Sequence, residues 1–242
     1  ATLQFMEVPA VVIPEGADWE NAKVYERNKE RAHATYMPYP STKAMKADGQ
    51  RYDKPWLEPT GANYLSLNGT WKLRWSEGAK PVLLGKDDFW GDGVSTEGSA
   101  WNDITVPSCL EMNGYGLPMY VNVDYPFEDQ QPYVRMKAGL KNSVGSYRRD
   151  FTLPAGWENK RVFLHFDGIY SAAYVYVNGN EVGYTEGANN VSEFDITKYV
   201  RTGKNNVAVQ VIRWTDGSYL EGQDMWHMSG IHRDVYLVAT PK

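Results

Sequence analysis

The groups from which this chain could draw chemistry are few in kind: four histidines, one cysteine and thirty carboxylates. A serine nucleophile needs a base at hydrogen-bond distance and a strained turn to present it. Ser108, Ser171 and Ser229 sit in no such context. His33, His165, His227 and His232 show no metal-ligand spacing, and Ser229-Gly230 between the last two rules out a helical i, i+4 pair. His165, inside an alternating segment, reads as a satisfied or surface residue. Cys109 is alone, so no intramolecular disulfide and no cysteine-based zinc cluster can form; it reads as an inert core thiol. Cleavage of a glycosidic bond needs two carboxyl groups flanking it. Glu111, Glu128, Glu186, Glu221 and Asp224 are candidates, but no spacing selects a pair. On its residues alone the chain reads as a binder of something polar, without demonstrable catalytic machinery.

Two stretches offer binding chemistry. Residues 107–135 intersperse Pro107, Gly114, Gly116, Pro118, Pro126 and Pro132 with Tyr115, Tyr120, Tyr125, Phe127 and Tyr133. Residues 214–231 carry Asp216-Gly217, the run Gly222-Gln223-Asp224-Met225-Trp226, and Ser229-Gly230. Long aromatic loops on a rigid scaffold are where binding is usually placed. Aromatic rings stack on the apolar faces of pyranoses, and Asn, Asp and Gln bind their hydroxyls. The alternative is that these loops pack on the scaffold or on a neighbouring domain.

The elements that must position such loops are short strands. Leu65–Trp75 alternates around an Asn68-Gly69 turn. Val144–Leu153 and Arg161–Phe166 read as strands, as does Ile169–Val177, which leads into Asn178-Gly179, the signal of a type I′ hairpin, and back through Glu181–Tyr184. Asn205–Trp214 and Val235–Ala239 complete the set. Strands at about ten-residue spacing with turns between them indicate an antiparallel sandwich, jelly roll or barrel. No glycine-rich phosphate loop or strand–helix alternation supports a nucleotide-binding α/β fold. Residues 1–63 are polar and broken by Pro38, Pro40, Pro55 and Pro59. They read as an extended arm laid on the body, with a helical turn or two over Lys23–Ala34 and with Trp19, Tyr25, Tyr36, Tyr39 and Trp56 as anchors.

Composition narrows the classes. Over 242 residues, 14% are aromatic, too many for a disordered chain. The net charge of −5 and the lack of a basic run argue against nucleic acid and against a membrane surface. No apolar run approaches the ~18 residues of a membrane helix. The opening Ala1-Thr2-Leu3-Gln4-Phe5-Met6 has neither a basic nor an apolar leader region. The expectation is a soluble protein whose compartment stays open.

Specific runs then carry a resemblance. In order, these are Asp18-Trp19-Glu20-Asn21, Arg27-Asn28, Ser66-Leu67-Asn68-Gly69-Thr70-Trp71, Val106-Pro107-Ser108, Gly114-Tyr115, Tyr120-Val121-Asn122-Val123-Asp124-Tyr125-Pro126, Phe166-Asp167-Gly168, Asn178-Gly179, Val182-Gly183-Tyr184, Ser192-Glu193-Phe194-Asp195, and the unbroken Arg213–Ile231. Over nearly its whole length the chain resembles the N-terminal portion of family 2 glycoside hydrolases, specifically the large bacterial β-galactosidases. The resemblance implies an all-β jelly-roll sandwich of the galactose-binding kind over residues 64–242, with residues 1–63 as its irregular arm. It implies part of an enzyme that hydrolyses terminal non-reducing β-D-galactosides. Downstream immunoglobulin-like and TIM-barrel domains would supply both catalytic glutamates, so this chain would hold no catalytic residue and be inactive alone. A stand-alone carbohydrate-binding module or lectin is the other reading.

Residue by residue, the resemblance makes Asn122 and Asp224 substrate contacts, with Asp224 also a ligand of a sodium ion shared with the barrel. It makes Asp18, Asn21 and Asp216 ligands of a magnesium ion, with Glu186 standing where the family has glutamine and adding a negative charge. No organic cofactor is implied, and the full enzyme is expected to be a homo-oligomer. Residues 85–101 look like an insertion beyond the family pattern, and the loop Thr185–Asn190 keeps the family's length with different side chains.

Overall fold

The computed structural model describes residues 17–49, 54, 56–59, 61–78, 89–122 and 124–242. Among these residues fifteen strands run in chain order: β1 (Glu26–Arg27), β2 (Tyr64–Ser66), β3 (Gly69–Ser76), β4 (Asn102–Val106), β5 (Met119–Val121), β6 (Val144–Leu153), β7 (Lys160–Phe166), β8 (Ile169–Tyr170), β9 (Ala172–Val177), β10 (Asn180–Thr185), β11 (Ser192–Asp195), β12 (Gly203–Ile212), β13 (Met225–His227), β14 (Gly230–Ile231) and β15 (Val235–Pro241). A seven-stranded sheet, ordered β1-β10-β9-β12-β6-β3-β4, faces a four-stranded sheet, ordered β11-β7-β15-β2. All pairings are antiparallel. The one α-helix of the described residues, α1 (Thr42–Ala47), is a surface turn of the arm, opened by the Ser41 hydroxyl accepting from the amide of Ala44.

Period-two alternation makes the sandwich. On β12, Val207, Val209 and Val211 point inward, while Asn206, Ala208 and Gln210 point the other way. The inward residues meet Val162, Leu164 and Phe166 of β7 and Val235 and Leu237 of β15 from the opposite sheet. Trp71, Tyr147, Trp157 and Phe194 are also enclosed, and burying a side chain of this size is worth about 1.5–3 kcal/mol. The structure is thus a β-sandwich.

Several expectations need correction. Asn68-Gly69 closes no hairpin. It hands the chain from β2 in the smaller sheet to β3 in the larger one, with Gly69 at φ +116°. The Asn68 side chain fixes the crossover by donating to Asp234 Oδ1 and accepting from the amide of Val235. Ile169–Val177 is two strands: β8 pairs with β14, and beyond Ser171 β9 pairs with β12. Asn178-Gly179 does form the expected hairpin turn, with φ of +49° and +79°. No helix forms over Lys23–Ala34. There Glu26 and Arg27 extend the edge of the larger sheet by pairing with Thr185 and Tyr184 of β10, so backbone pairing overrides local helical preference. Of the five aromatic anchors, Trp19 is buried, Tyr39 is half-buried with its hydroxyl donating to Asp48, and Tyr25, Tyr36 and Trp56 are exposed. Pro55 and residues 1–16 of the arm, and residues 85–88 of the insertion, lie outside the described residues.

Candidate functional site

The two aromatic stretches meet in a two-stranded ribbon of β5 and β13. Its register sets Met119 against His227, Tyr120 against Trp226 and Val121 against Met225. One step beyond the last pair, Asn122 and Asp224 stand at the same end of the ribbon, both exposed. A hundred residues separate them in sequence. The Tyr120 hydroxyl donates to Asp224 Oδ1, which orients the carboxylate and raises the affinity of the phenol for its proton. The Tyr120 and Trp226 rings meet edge-on at 5.7 Å and are more than half exposed.

Beneath the ribbon the packing is polar and tightly paired. His227 is 2% exposed; its Nδ1 is hydrogen-bonded with the Tyr170 hydroxyl at 2.7 Å, and its Nε2 lies 3.1 Å from the carbonyl of Gln223. The Gln223 carbonyl can only accept, so Nε2 donates to it and holds the turn that carries Asp224. Glu111, also buried, accepts from the amide and hydroxyl of Ser229 at 2.7 and 2.6 Å. Arg213 at the end of β12 lies against Glu111 and donates to the carbonyl of Leu117 at 2.6 Å. Burial pulls the Arg213 guanidinium below its ordinary value. Glu111 and Arg213 thus tie both loops of the ribbon to the sandwich. A cleft of about 180 Å³ lies beside it, with Asn122, Tyr125, Phe127, Trp214, Ser218 and His227 in its wall. Asp224 is not part of that wall.

Of the five candidate carboxylates, Glu111 is consumed by this framework and Asp224 is open. Glu128 contributes its backbone, its amide donating to the carbonyl of Arg135. Glu221 accepts from the amide of Ala188, and burial raises its pKa. Glu186 meets Asp216 instead. Glu186 is pushed up to about 8, first by burial and then by the Asp216 charge, and Asp216 is raised by burial as well. Tyr184 donates to Glu186 Oε1, and Asp216 Oδ1 is buried without a hydrogen-bond partner.

Asp18 and Asn21 reach the same region from the arm but are otherwise engaged. Asp18 Oδ2 accepts from Arg27 Nη1 and the Tyr174 hydroxyl, each at 3.0 Å, and Asn21 Oδ1 accepts from the amide of Lys23. Among the described residues no three His, Cys, Asp or Glu side chains gather as a cation cage. The Glu186–Asp216 pair nonetheless fits a hard cation in chemistry. A buried and a half-buried oxygen-donor acid lie side by side, without a basic partner among the described residues, and one oxygen is orphaned.

His165 is satisfied, as its alternating context suggests: it lies between Glu193 Oε2 and Asp167 Oδ1, 3.0 Å from each, and stacks on Tyr236. Cys109 is half-buried, and burial raises its thiol. The sequence reading did not find the roles of Tyr120, His227, Glu111 and Arg213. For Tyr120 the signal was present in its place two residues before Asn122; for the others, partners mostly some 60 to 120 positions away gave none.

Comparison with known proteins follows the same lines. Residues 64–241 match the family model described as "Glycosyl hydrolases family 2, sugar binding domain". Over 228 residues the chain is 40% identical to a β-galactosidase of Priestia megaterium, covering 93% of this chain and 21% of that protein. It is 39% identical to a β-galactosidase of Psychromonas ingrahamii, covering 93% and 20%. The chain therefore spans about a fifth of the length of these relatives. Among solved structures it is similar to a β-glucuronidase of Bacteroides uniformis bound covalently to cyclophellitol-6-carboxylate aziridine, at a TM-score of 0.52 and 26% identity over 74% of this chain and 18% of that one.

Proposed function

Because the chain belongs to glycosyl hydrolase family 2, in that family's sugar-binding domain, we propose that it serves a β-galactosidase acting on terminal β-D-galactosides. Its part is to supply substrate contacts and scaffold to a catalytic domain elsewhere in a longer polypeptide. The observation that carries the reading is the β5–β13 register, which brings Asn122 and Asp224 to one end of an exposed aromatic ribbon. An amide donates to one sugar hydroxyl and accepts from another, and a carboxylate accepts from two. Tyr120 holds Asp224 in orientation, leaving the second carboxylate oxygen for a hydroxyl or a sodium ion shared with the catalytic domain. Galactoside rather than glucuronide as substrate follows the names of the relatives with 39–40% identity.

In the same reading Glu186 and Asp216, joined by Asn21 and Asp18 of the arm, would hold a magnesium ion that pins the arm to the body. Its role there is charge neutralisation, and Asp18 would have to exchange its contacts with Arg27 and Tyr174 for it.

The test is kinetic and uses the complete polypeptide. Asp224→Asn and Asn122→Ala should each cost about 1.5–3 kcal/mol of transition-state binding, or roughly 10–150-fold in kcat/KM on nitrophenyl β-D-galactoside. Unchanged kinetics for both variants would reduce the ribbon to packing. Turnover of the glucuronide in preference to the galactoside would overturn the substrate. The exposed Tyr120–Trp226 pair favours one other reading, a lectin-like module. Retention of the isolated chain on immobilised galactose would support it, whereas a domain holding only part of a subsite passes through.

A further inference from the structure

The larger sheet has a second face, turned away from the core, and residues 89–101 lie on it. Phe89 and Trp101 pack on Ala208 and Tyr176, and Trp90 stacks on Tyr176 with ring centroids 4.9 Å apart. Arg201 grips Asp92 through both carboxylate oxygens, at 2.8 and 3.1 Å. Beside this cover runs a groove of two adjoining volumes, about 310 and 440 Å³, that share Val94, Thr96, Arg148, Asp150 and Asn206 as walls. Five basic side chains line it against three acidic ones, on a chain whose net charge is −5.

Two buried polar side chains in the wall of this groove each have an atom unsatisfied. Arg148 is 3% exposed, and its Nη1 donates to the carbonyls of Phe89 and Gly91 at 2.5 and 3.0 Å. Its Nε has no partner, and it forms no ion pair among the described residues. The nearby acids are taken, Asp150 by Lys204 and Asp92 by Arg201. Asn206, 6% exposed, donates from Nδ2 to Asp150 Oδ1 at 2.8 Å, while its own Oδ1 accepts nothing. A buried guanidinium without an ion pair of its own is costly, as is a buried carbonyl without a donor. In the β6–β12 register Ala208 opposes Arg148 and Asn206 opposes Asp150. Arg148 and Asn206 are therefore diagonal neighbours on one face, about 7–8 Å apart along such a diagonal, within the span of one sugar ring.

We propose that this groove binds an acidic saccharide. Its carboxylate or sulfate takes the free Nε edge of Arg148, and a ring hydroxyl donates to Asn206 Oδ1. Arg201 and Lys204, both exposed at the rim, draw the anion in. A neutral sugar leaves the guanidinium uncompensated, and a bare anion leaves Asn206 Oδ1 without a donor. The two orphaned atoms together select a ligand that carries both groups.

The chain itself, labelled with nitrogen-15, is titrated at fixed ionic strength with trigalacturonate, with a neutral galactose trisaccharide and with inorganic sulfate. The Arg148 Nε–H resonance is followed, and affinity is measured by calorimetry. Trigalacturonate should shift that resonance and bind at least tenfold more tightly than either control. Lys204→Glu should weaken it severalfold with an unchanged circular dichroism spectrum, and Arg148→Lys by tenfold or more. Should Arg148→Lys fail to fold, the wild-type resonance and Lys204→Glu still decide. An unmoved Arg148 signal overturns the site. Equal binding of the neutral trisaccharide overturns the acidic ligand, and equal binding of sulfate overturns the saccharide.

Discussion

Glu186 is a carboxyl group withdrawn from water, with Asp216 beside it and a hydroxyl donating to it. Its folded-state pKa, near 8, lies above the ordinary glutamate value. Between roughly pH 4.5 and 8 the folded chain therefore holds more protons here than the unfolded chain. Stability must then fall as pH rises through that window, and Asp216, also raised, adds to the same slope. Each tenfold change in proton affinity is worth about 1.4 kcal/mol, so the effect should be plain in Tm measured with a chelator present. Two interventions should flatten the profile: millimolar magnesium, which replaces the proton, and Glu186→Gln, which removes the charge. Glu186→Gln should also raise Tm at pH 8 and weaken the response to magnesium, since the amide oxygen still ligates but carries no charge. A wild-type Tm that does not decline between pH 5 and 8 would contradict the buried acid pair.

At the scale of elements, β1 is the join between arm and body, and Gly183 permits it. A Cβ on Gly183 would collide with the carbonyl oxygen of Arg27 and with the Phe194 ring. Gly183→Ala should therefore detach Glu26–Arg27 from β10 and cost about 1–3 kcal/mol, as overpacking does. Early loss of amide protection at Glu186, whose N–H donates to the carbonyl of Tyr25, with the core strands still protected, is the expected exchange pattern. Uniform loss across the sandwich would mean that the arm strand is not separable. This join was invisible in the sequence, where Glu26 and Arg27 carry no alternation and gain their conformation only from a partner nearly 160 positions away. The Asn178-Gly179 hairpin was legible because its two left-handed residues dictate the turn locally. Asn68-Gly69 gives the same local signal for a different end, since a left-handed glycine cannot report which sheet the next strand joins. Asn122 and Asp224 were legible through the resemblance of the runs that contain them and not through spacing. The orphaned atoms of Arg148 and Asn206 were not legible, because only sheet register sets them on one face.

For the whole molecule, retaining hydrolysis needs two open carboxyl groups about 5–5.5 Å apart across a sugar. Here Asp224 is open on its ribbon, while Glu186 and Asp216 touch each other within the protein. The isolated chain should show no turnover of nitrophenyl β-D-galactoside, and a rate abolished by mutating one of its own carboxylates would refute this. The sandwich also has a mechanical grain. Tyr64 of β2 lies opposite Val238 of β15, and the amide of Ala239 donates to the carbonyl of Asn63, so the chain arrives at residue 61 and leaves at residue 241 from one end of the smaller sheet. Tension between those two points does not shear the strands along their length; it opens them one hydrogen bond at a time. In an optical trap pulling from residues 61 and 241, β2 should peel away at low force as a separate first step, before the sandwich yields. If the domain works under strain between its arm and whatever follows it, the outermost strand acts as the slack in the tether, and the packed interior feels the pull last.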